Sequence, residues 1–386
     1  MNFRKILFWC HLCAGSVAGV VILIMSATGV LLGFERQINA WADSKYRVAP
    51  QQINSRFISM DELRPIKEPN VGQSPSITVR ADRSAPIELS YGRERTVLVS
   101  PYTGQILGDA SKTTRAFFSR MEKVHRALGG ALRKSFGHSL TSLCNLVFLG
   151  LVSSGIYLWF PKQWTVKHIR PVIWFRKDLS GRPRDWNWHN TIGFWCAIPL
   201  FFIVLCGVIM SYPWANNLLY QLTGSPLPVP PLARSHPKQR LAEFSNFLSS
   251  DELLIRVKQQ SPGWKSITFR TPTSRDETVT FTTDTGNGGQ PQKRSQITLD
   301  RKTGTVTRVE NFSTYNLGRK LRSIARFLHT GEVLGLPGQA IATLASLGAV
   351  FLVWTGLSLA LRRLADWKDR QGRTKATMKS SEPLSV

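Results

Sequence analysis

The chain has 386 residues, with 50 Lys and Arg against 24 Asp and Glu, so its formal net charge is +26. Its 20 Phe and 12 Trp are too many for a disordered basic chain. The apolar residues are concentrated in four runs that are each long enough to cross a bilayer, which excludes an ordinary soluble enzyme. Because membrane proteins carry positive charge on their short cytoplasmic segments, the charge does not indicate nucleic acid as a partner.

The apolar runs predict four transmembrane helices, at 6–34, 138–160, 188–212 and 338–361. A bilayer core of roughly 30 Å needs about 20 apolar helical residues, and each run meets this length. Arg4 and Lys5 precede the first run as they would in a signal peptide. Since its apolar stretch is too long and no clear cleavage site follows, we interpret this run as a retained span.

The short basic segments predict the orientation. The loop 161–187 and the tail 362–386 each contain seven Lys or Arg. Short basic segments stay in the cytoplasm, so both termini are expected on the inner side. The long segments 35–137 and 213–337 are then expected outside, because long domains cross largely regardless of their charge.

The sequence also indicates an internal twofold repeat. Gly29 follows His11 by 18 residues, and Gly207 follows His189 by the same interval. Thr103-Gly104 and Thr303-Gly304 lie in matching turns of the two long outer segments. Short strands are predicted around these turns, at 76–79, 87–91, 97–99, 266–269, 278–282 and 296–299. The predicted fold class is a membrane protein with four transmembrane α-helices and two outer α+β domains.

Five of the seven histidines lie in or beside the predicted spans. An ionisable residue at membrane depth is a functional candidate by default, although an interhelical hydrogen bond explains a single one equally well. His11 and His189 lie at corresponding positions near the inner ends of their spans. His329 precedes the fourth span on the outer side, and either His125 or His138 precedes the second.

The histidines therefore predict two pairs, one of His11 with His189 and one of His329 with His125 or His138. Two neutral imidazoles on facing helices suit a six-coordinate haem b. A non-haem metal would need three or four ligands, and carboxylates are missing from the spans. Because two axial histidines leave no open position on iron, the pattern favours electron transfer over oxygen chemistry.

Cys10 and Cys13 flank His11 in the order Cys-His-Leu-Cys. In the c-type haem pattern the histidine follows the second cysteine, so the motif does not match it. We interpret both cysteines as small buried residues of the first span.

Several motifs carry a resemblance to a known family, and they lie at 145–149, 154–161, 185–195, 211–216 and 329–335. The third of these reads Asp-Trp-Asn-Trp-His-Asn-Thr-Ile-Gly-Phe-Trp, and the last reads His-Thr-Gly-Glu-Val-Leu-Gly. As a set they resemble the PepSY-associated transmembrane proteins, and more narrowly the inner-membrane ferric-siderophore reductases. The Thr-Gly turns resemble those of PepSY domains.

The resemblance implies two periplasmic PepSY-like domains in a bacterial inner-membrane protein with both termini in the cytoplasm. It implies two haem b groups, and by motif the family's histidines correspond to His11, His125, His189 and His329. His138 is not part of that pattern. The implied activity is that of a haem-dependent ferric-chelate reductase, which passes electrons across the membrane to a ferric-siderophore and so releases its iron.

The partners and the rival functions follow from other features. No glycine-rich nucleotide fingerprint occurs in the sequence, so the expected electron donor is a quinol or a cytoplasmic reductase. One alternative is a cofactor-free PepSY-type membrane protein with a binding or regulatory role. Another is an iron or siderophore permease, which four spans without intramembrane carboxylates support only weakly.

Basic residues near the outer pair are candidates for binding haem propionates or an anionic chelate. Contact with membrane lipid phosphates is the alternative explanation. These residues are Arg126, Arg133, Lys134, Arg319, Lys320, Arg322 and Arg326.

Overall fold

The computed structural model describes residues 2–49, 56–63, 75–92, 95–130, 134–161, 163, 165–228, 247–273 and 276–380. The helices in chain order are α1 (Phe3–Leu32), α2 (Glu35–Ala42), α3 (Lys112–Ala127), α4 (Lys134–Trp159), α5 (Val166–Ile173), α6 (Gly181–Ser211), α7 (Pro213–Leu222), α8 (Ser250–Gln260), α9 (Leu317–His329) and α10 (Gly335–Ser380). The strands are β1 (Ser76–Arg80), β2 (Ile87–Tyr91), β3 (Arg95–Val99), β4 (Ile106–Asp109), β5 (Ser266–Arg270), β6 (Thr278–Asp284), β7 (Arg294–Asp300) and β8 (Val306–Asn311).

Within the described residues, four helical segments are long and apolar enough to cross a membrane, which confirms the prediction of four spans. They are Phe3–Leu32, Ser135–Trp159, Gly181–Ser211 and Glu332–Gln371. Pro161 and Pro213 follow the ends of the second and third of these, as expected for residues that cannot continue a helix.

Two predicted boundaries differ more than the others from the structure. The third helix begins at Gly181 rather than at 188, because Pro183 lies in its first turn, where a missing backbone N–H costs nothing. The fourth helix continues beyond 361 to Ser380. Residues 362–371 include no Gly or Pro, so the backbone stays helical although the side chains become charged.

The four long helices form a bundle in which α1 packs on α4 and α10, and α6 packs on the same two helices. Small residues allow close approach, since Ala349 is fully buried and a Cβ on Gly348 would meet Cys196 Sγ at 2.4 Å. The helices α1 and α6 are therefore diagonal partners.

The strands form one antiparallel sheet in the order β4-β3-β2-β1-β5-β6-β7-β8. Six of them match the six strands predicted from the sequence. β1 pairs with β5, and Thr78 lies opposite Thr268 with their hydroxyl oxygens 2.9 Å apart. The segments 35–137 and 213–337 therefore share a single sheet, whose strand order is symmetrical about the β1–β5 junction. The relation of these segments was left open by the sequence.

One apolar core supports the whole sheet. Leu89 and Val99 from the first segment belong to the same buried cluster as Phe269, Phe281 and Val257 from the second. Alternating burial along β1, β2 and β5 places the apolar side chains on the face that carries α8. The two segments therefore stabilise the sheet through one shared core.

Replacing Phe269 with alanine is expected to lower the free energy of unfolding of the sheet by about 3–5 kcal/mol. Phe269 is 2% exposed, and its ring centre lies 4.9 Å from that of Phe281. Chemical unfolding of the full-length protein in detergent measures the change. Thr280→Ala, at an exposed position on the neighbouring strand β6, is the control; it removes a 2.9 Å contact with Thr298 Oγ1 and should change stability by at most about 1 kcal/mol. Equal losses in the two variants would show that the shared core is not the source of stability.

Candidate functional site

His125 and His329 form a close pair on the side of the bundle that carries the sheet. Their ring centres are 6.1 Å apart, and the ring planes are inclined by 66°. Both side chains are half-buried. We call them the sheet-side pair. His125 lies near the end of α3, and His329 is the last residue of α9.

Local sequence explains how α9 places His329. The Asn316 side chain caps this helix by accepting a hydrogen bond of 2.8 Å from Arg319 N. Ala325 and Phe327 are buried, so the end of α9 packs against α6. Gly331, with a φ of +75°, then turns the chain away from the direction of α9, two residues after the histidine.

The hydrogen bonds of the sheet-side pair define which ring nitrogen carries the proton. His125 Nδ1 donates to the Met25 carbonyl oxygen at 2.9 Å and lies 3.0 Å from Thr28 Oγ1. His329 Nδ1 donates to the Ile203 carbonyl oxygen at 2.8 Å. Because a carbonyl oxygen only accepts, the hydrogen of each neutral ring is on Nδ1 and the lone pair is on Nε2.

The surroundings of the sheet-side pair keep both rings neutral near pH 7. Burial, followed by charge repulsion from His329, lowers the pKa of His125 to about 4. Burial also lowers the pKa of His329. The neutral imidazole is the form that binds a metal, so both rings are in the binding-competent state.

His11 on α1 and His189 on α6 lie at the other end of the bundle, where the loop 161–180 connects α4 to α6. His11 lies against Ser154 of α4, and His189 lies against Thr355 of α10. Both are half-buried, and no ring contact joins them within the described part of the chain. We call them the loop-side pair.

The loop-side pair is held by two hydroxyl groups. His11 Nδ1 lies 2.8 Å from Ser154 Oγ, and His189 Nδ1 lies 3.0 Å from Thr355 Oγ1. Ser154 Oγ donates its own hydrogen to the Leu151 carbonyl oxygen at 3.1 Å. Since Thr355 Oγ1 likewise donates to a backbone carbonyl, at 2.7 Å, both hydroxyls accept from the imidazole N–H. The lone pair of these rings is therefore also on Nε2.

Three of the histidine rings lie against a glycine that directly follows the hydroxyl residue beside the ring, so no Cβ crowds the imidazole. A Cβ placed on Gly155 would lie 3.5 Å from His11 Cε1, and one on Gly356 would lie 3.3 Å from His189 Cε1. A Cβ placed on Gly29 would lie 3.7 Å from His125 Cε1. The sequence did not identify these contacts, although a Ser, Thr or Cys followed by Gly occurs in every span and was the available signal.

A haem b held by two histidines requires a particular distance between their rings. Two metal–imidazole bonds of about 2 Å, each extended by roughly 1 Å from nitrogen to ring centre, place the centres about 6 Å apart. The 6.1 Å of the sheet-side pair agrees with this value. Gly15 and Gly193, one turn from His11 and His189, meet only one leucine methyl each, at 3.8 and 3.7 Å. The residues therefore suit a flat group held between two imidazoles.

Among the described residues, each histidine pair supplies two possible ligands for a metal atom rather than three. Within these residues, no three His, Cys, Asp or Glu side chains gather in a group that would hold a bare metal ion. None of the four Nε2 atoms has a hydrogen-bond partner in the same part of the chain.

The structure brings His125, and not His138, to His329. The His138 side chain is exposed on α4, and only its backbone carbonyl accepts hydrogen bonds, from Ser142 and Thr141. The geometry therefore favours His125 over His138 in the pair with His329.

The predicted basic residues have other partners in the structure. Arg126 is exposed and pairs with Glu122 at 2.9 Å. Arg322 Nε donates to Asn216 Oδ1 at 3.0 Å, and the Arg326 guanidinium lies 5.7 Å from the centre of the Phe327 ring. Arg319 pairs with Glu310 at 2.6 Å, and Lys320 lies 5.8 Å from the Phe312 ring centre. Arg133 and the side chain of Lys134 lie outside the described residues.

The interpretation of Cys10 and Cys13 as buried residues was wrong. Both are exposed on α1. The first span has one face packed in the bundle and one exposed face. Small residues such as these cysteines occur on the exposed face as well, so their size did not indicate burial.

An ion pair next to His329 was also missed by sequence analysis. Arg36 Nε lies 2.7 Å from Glu332 Oε1, and the Glu332 side chain is only 11% exposed. Thr330 Oγ1 donates to the other carboxylate oxygen at 3.0 Å. The contact joins α2 to the segment that follows the sheet-side pair, and no local pattern in the sequence indicates it.

Comparison with known proteins identifies a family for the chain. The family described as the PepSY-associated TM region matches residues 8–363, which include most of each candidate span and the whole sheet. Among proteins with curated descriptions, none matches the chain. With nearly its whole length matched, the chain belongs to the PepSY-associated transmembrane family.

Proposed function

We propose that the protein is a haem b oxidoreductase that carries electrons across the membrane and reduces a ferric-siderophore. The sheet-side pair is the observation that supports this most directly. Its two rings are 6.1 Å apart, and both Nδ1 atoms are committed to backbone carbonyls. Each Nε2 lone pair is therefore available to one metal atom between them.

His125 and His329 would hold one haem b, and His11 and His189 would hold a second. Bound haem supplies one-electron chemistry, and two axial histidines leave no site on iron for oxygen. The two pairs are about 27 Å apart along α1, since 18 residues at 1.5 Å each separate His11 from Gly29. Gly29 marks the sheet-side pair because it lies beside His125. Together the pairs would reach from one face of the membrane to the other.

The proposed substrate is Fe(III) held by a siderophore. One electron converts it to Fe(II), which siderophores bind far less tightly, so the metal is released. The electron donor would be a membrane quinol or a cytoplasmic reductase. Arg126, Arg322 and Arg326 stay candidates for contact with the anionic chelate, since each lies within a few residues of the sheet-side pair or on its helix.

The proposed location is the bacterial inner membrane with both termini in the cytoplasm. The basic residues of 161–187 and 362–386 support this orientation. The sheet would then lie in the periplasm as two PepSY-like halves, which we interpret as the two copies of an internal repeat. The symmetrical strand order supports that interpretation.

The visible spectrum of the purified full-length protein tests the proposal. We expect a reduced-minus-oxidised b-type signal and two haems per chain in a pyridine haemochrome assay. Adding a ferric-siderophore to the reduced protein should reoxidise it and release Fe(II). A chain free of haem would instead support a cofactor-free binding or regulatory protein, and uptake of the chelate without a redox change would support a permease.

A further inference from the structure

Each spanning helix carries a small hydroxyl or thiol residue followed by glycine, and three of these four steps lie beside a histidine. The steps are Thr28-Gly29, Ser154-Gly155, Cys206-Gly207 and Thr355-Gly356. The hydroxyls of Thr28, Ser154 and Thr355 lie beside His125, His11 and His189 respectively. His329 instead contacts the Ile203 carbonyl, three residues before Cys206 on the same helix.

The two pairs differ in what accepts the Nδ1 hydrogen. On the sheet side the acceptors are backbone carbonyls, of Met25 for His125 and of Ile203 for His329. A side-chain substitution cannot remove either of these. On the loop side, the acceptor of His11 is a hydroxyl that belongs to Ser154. A single side chain therefore controls the orientation and the proton of this ring.

We propose that Ser154 is a positioning residue of the loop-side pair, and that its hydroxyl sets the redox potential of the iron held by His11. Thr355 Oγ1 lies 3.0 Å from His189 Nδ1, but the Leu352 backbone is a second partner for that ring, so the proposal is confined to Ser154. The inference rests on the proposed function, because it requires haem at this position. Ser154 does not touch the iron itself and acts through the Nδ1 hydrogen of His11.

The direction of the effect follows from the chemistry of the ring. An acceptor on Nδ1–H pulls the hydrogen away and makes the Nε2 lone pair more basic. A more basic ligand stabilises Fe(III) relative to Fe(II), so the midpoint potential falls. Removing the hydroxyl is therefore expected to raise the potential of one haem and to leave the other unchanged.

The test is a redox titration, followed by visible spectroscopy, of the full-length Ser154→Ala variant. We expect two haems per chain and a rise in one midpoint potential that corresponds to about a tenfold change in the reduction equilibrium, or about 59 mV for a one-electron couple. Ser154→Thr restores the hydroxyl and should return the potential to its original value. Loss of a haem in Ser154→Ala that Ser154→Thr reverses supports the same conclusion.

Two variants serve as matched controls. Ser153→Ala removes an exposed hydroxyl on the same helix, which donates to the Leu149 carbonyl at 2.8 Å and contacts no histidine. Thr28→Val removes a hydroxyl from His125 but leaves its bond to the Met25 carbonyl. Both are expected to shift the potentials much less than Ser154→Ala does.

The possible results separate this inference from the proposed function. Two haems in the original protein with the same potentials in Ser154→Ala and Ser153→Ala would overturn the role of Ser154 alone. Loss of a haem in both Ser154→Ala and Ser154→Thr would also overturn it, because the hydroxyl would then not be the active feature. An original protein without haem would overturn the proposed function and this inference together.

Discussion

The His329→Ala variant is expected to bind one haem b per chain instead of two. His329 is one of two rings whose centres are 6.1 Å apart, and no other imidazole is within ring contact of His125 in the described residues. With a single ligand left, His125 cannot form the six-coordinate site that holds the group in place. His189→Ala is expected to remove the other haem for the same reason. A pyridine haemochrome assay on each purified variant measures the stoichiometry.

His138→Ala is the matched control, because it removes an exposed imidazole close to the same face of the membrane. It should retain both haems. The double variant His189→Ala with His329→Ala should retain none. Two haems that survive in both single variants would refute the assignment of the pairs, whatever the activity of the variants.

The spans could be predicted because hydropathy depends on composition alone, and every long apolar run became a long helix. The helix ends were less predictable. Charged residues mark where a helix leaves the membrane, and they do not end its backbone hydrogen bonding. The fourth helix therefore continues to Ser380 after Arg362, and the third begins at Gly181, well before its apolar part.

His125 and His138 show that the distance of a residue from a span along the chain does not determine how deep in the membrane that residue lies. His138 is closer to the apolar run, but it is part of α4 and points outward. Leu128 and Gly129, with φ of 54° and 71°, form a turn that folds α3 back toward α1. This turn places His125 against Met25, within the first span. A left-handed leucine has no signature in the sequence, so the turn was not foreseen.

The joining of the outer segments into one sheet was beyond the reach of local patterns. Each strand was predicted from alternation within its own few residues. Pairing of β1 with β5 joins Thr78 to Thr268 across 190 residues. This pairing depends on the fit between the edges of the two folded halves, which no short stretch of sequence shows. The same applies to Arg36 and Glu332, whose contact exists only after α2 meets the segment that follows α9.

Gly331→Ala is expected to destabilise the fold by about 3–5 kcal/mol, at the upper end for a single substitution. Gly331 has a φ of +75°, where a residue with a Cβ is strained by roughly 1–2 kcal/mol. A Cβ here would also lie 2.2 Å from the Gly338 carbonyl oxygen. Because the obstacle is backbone, no rotation of a side chain relieves it, and α9 must move away from α10. Thermal unfolding of the full-length protein and its haem content measure the effect.

The movement of α9 should displace His329, which precedes Gly331 by two residues, so the sheet-side haem is expected to be lost before the loop-side one. Gly224→Ala is the control, since Gly224 has a similar φ of +59° but meets no atom within 4 Å. It should cost only the strain of the backbone, about 1–2 kcal/mol, and retain both haems. Equal destabilisation in the two variants would mean that close packing of Gly331 on Gly338 does not fix the position of the sheet-side pair.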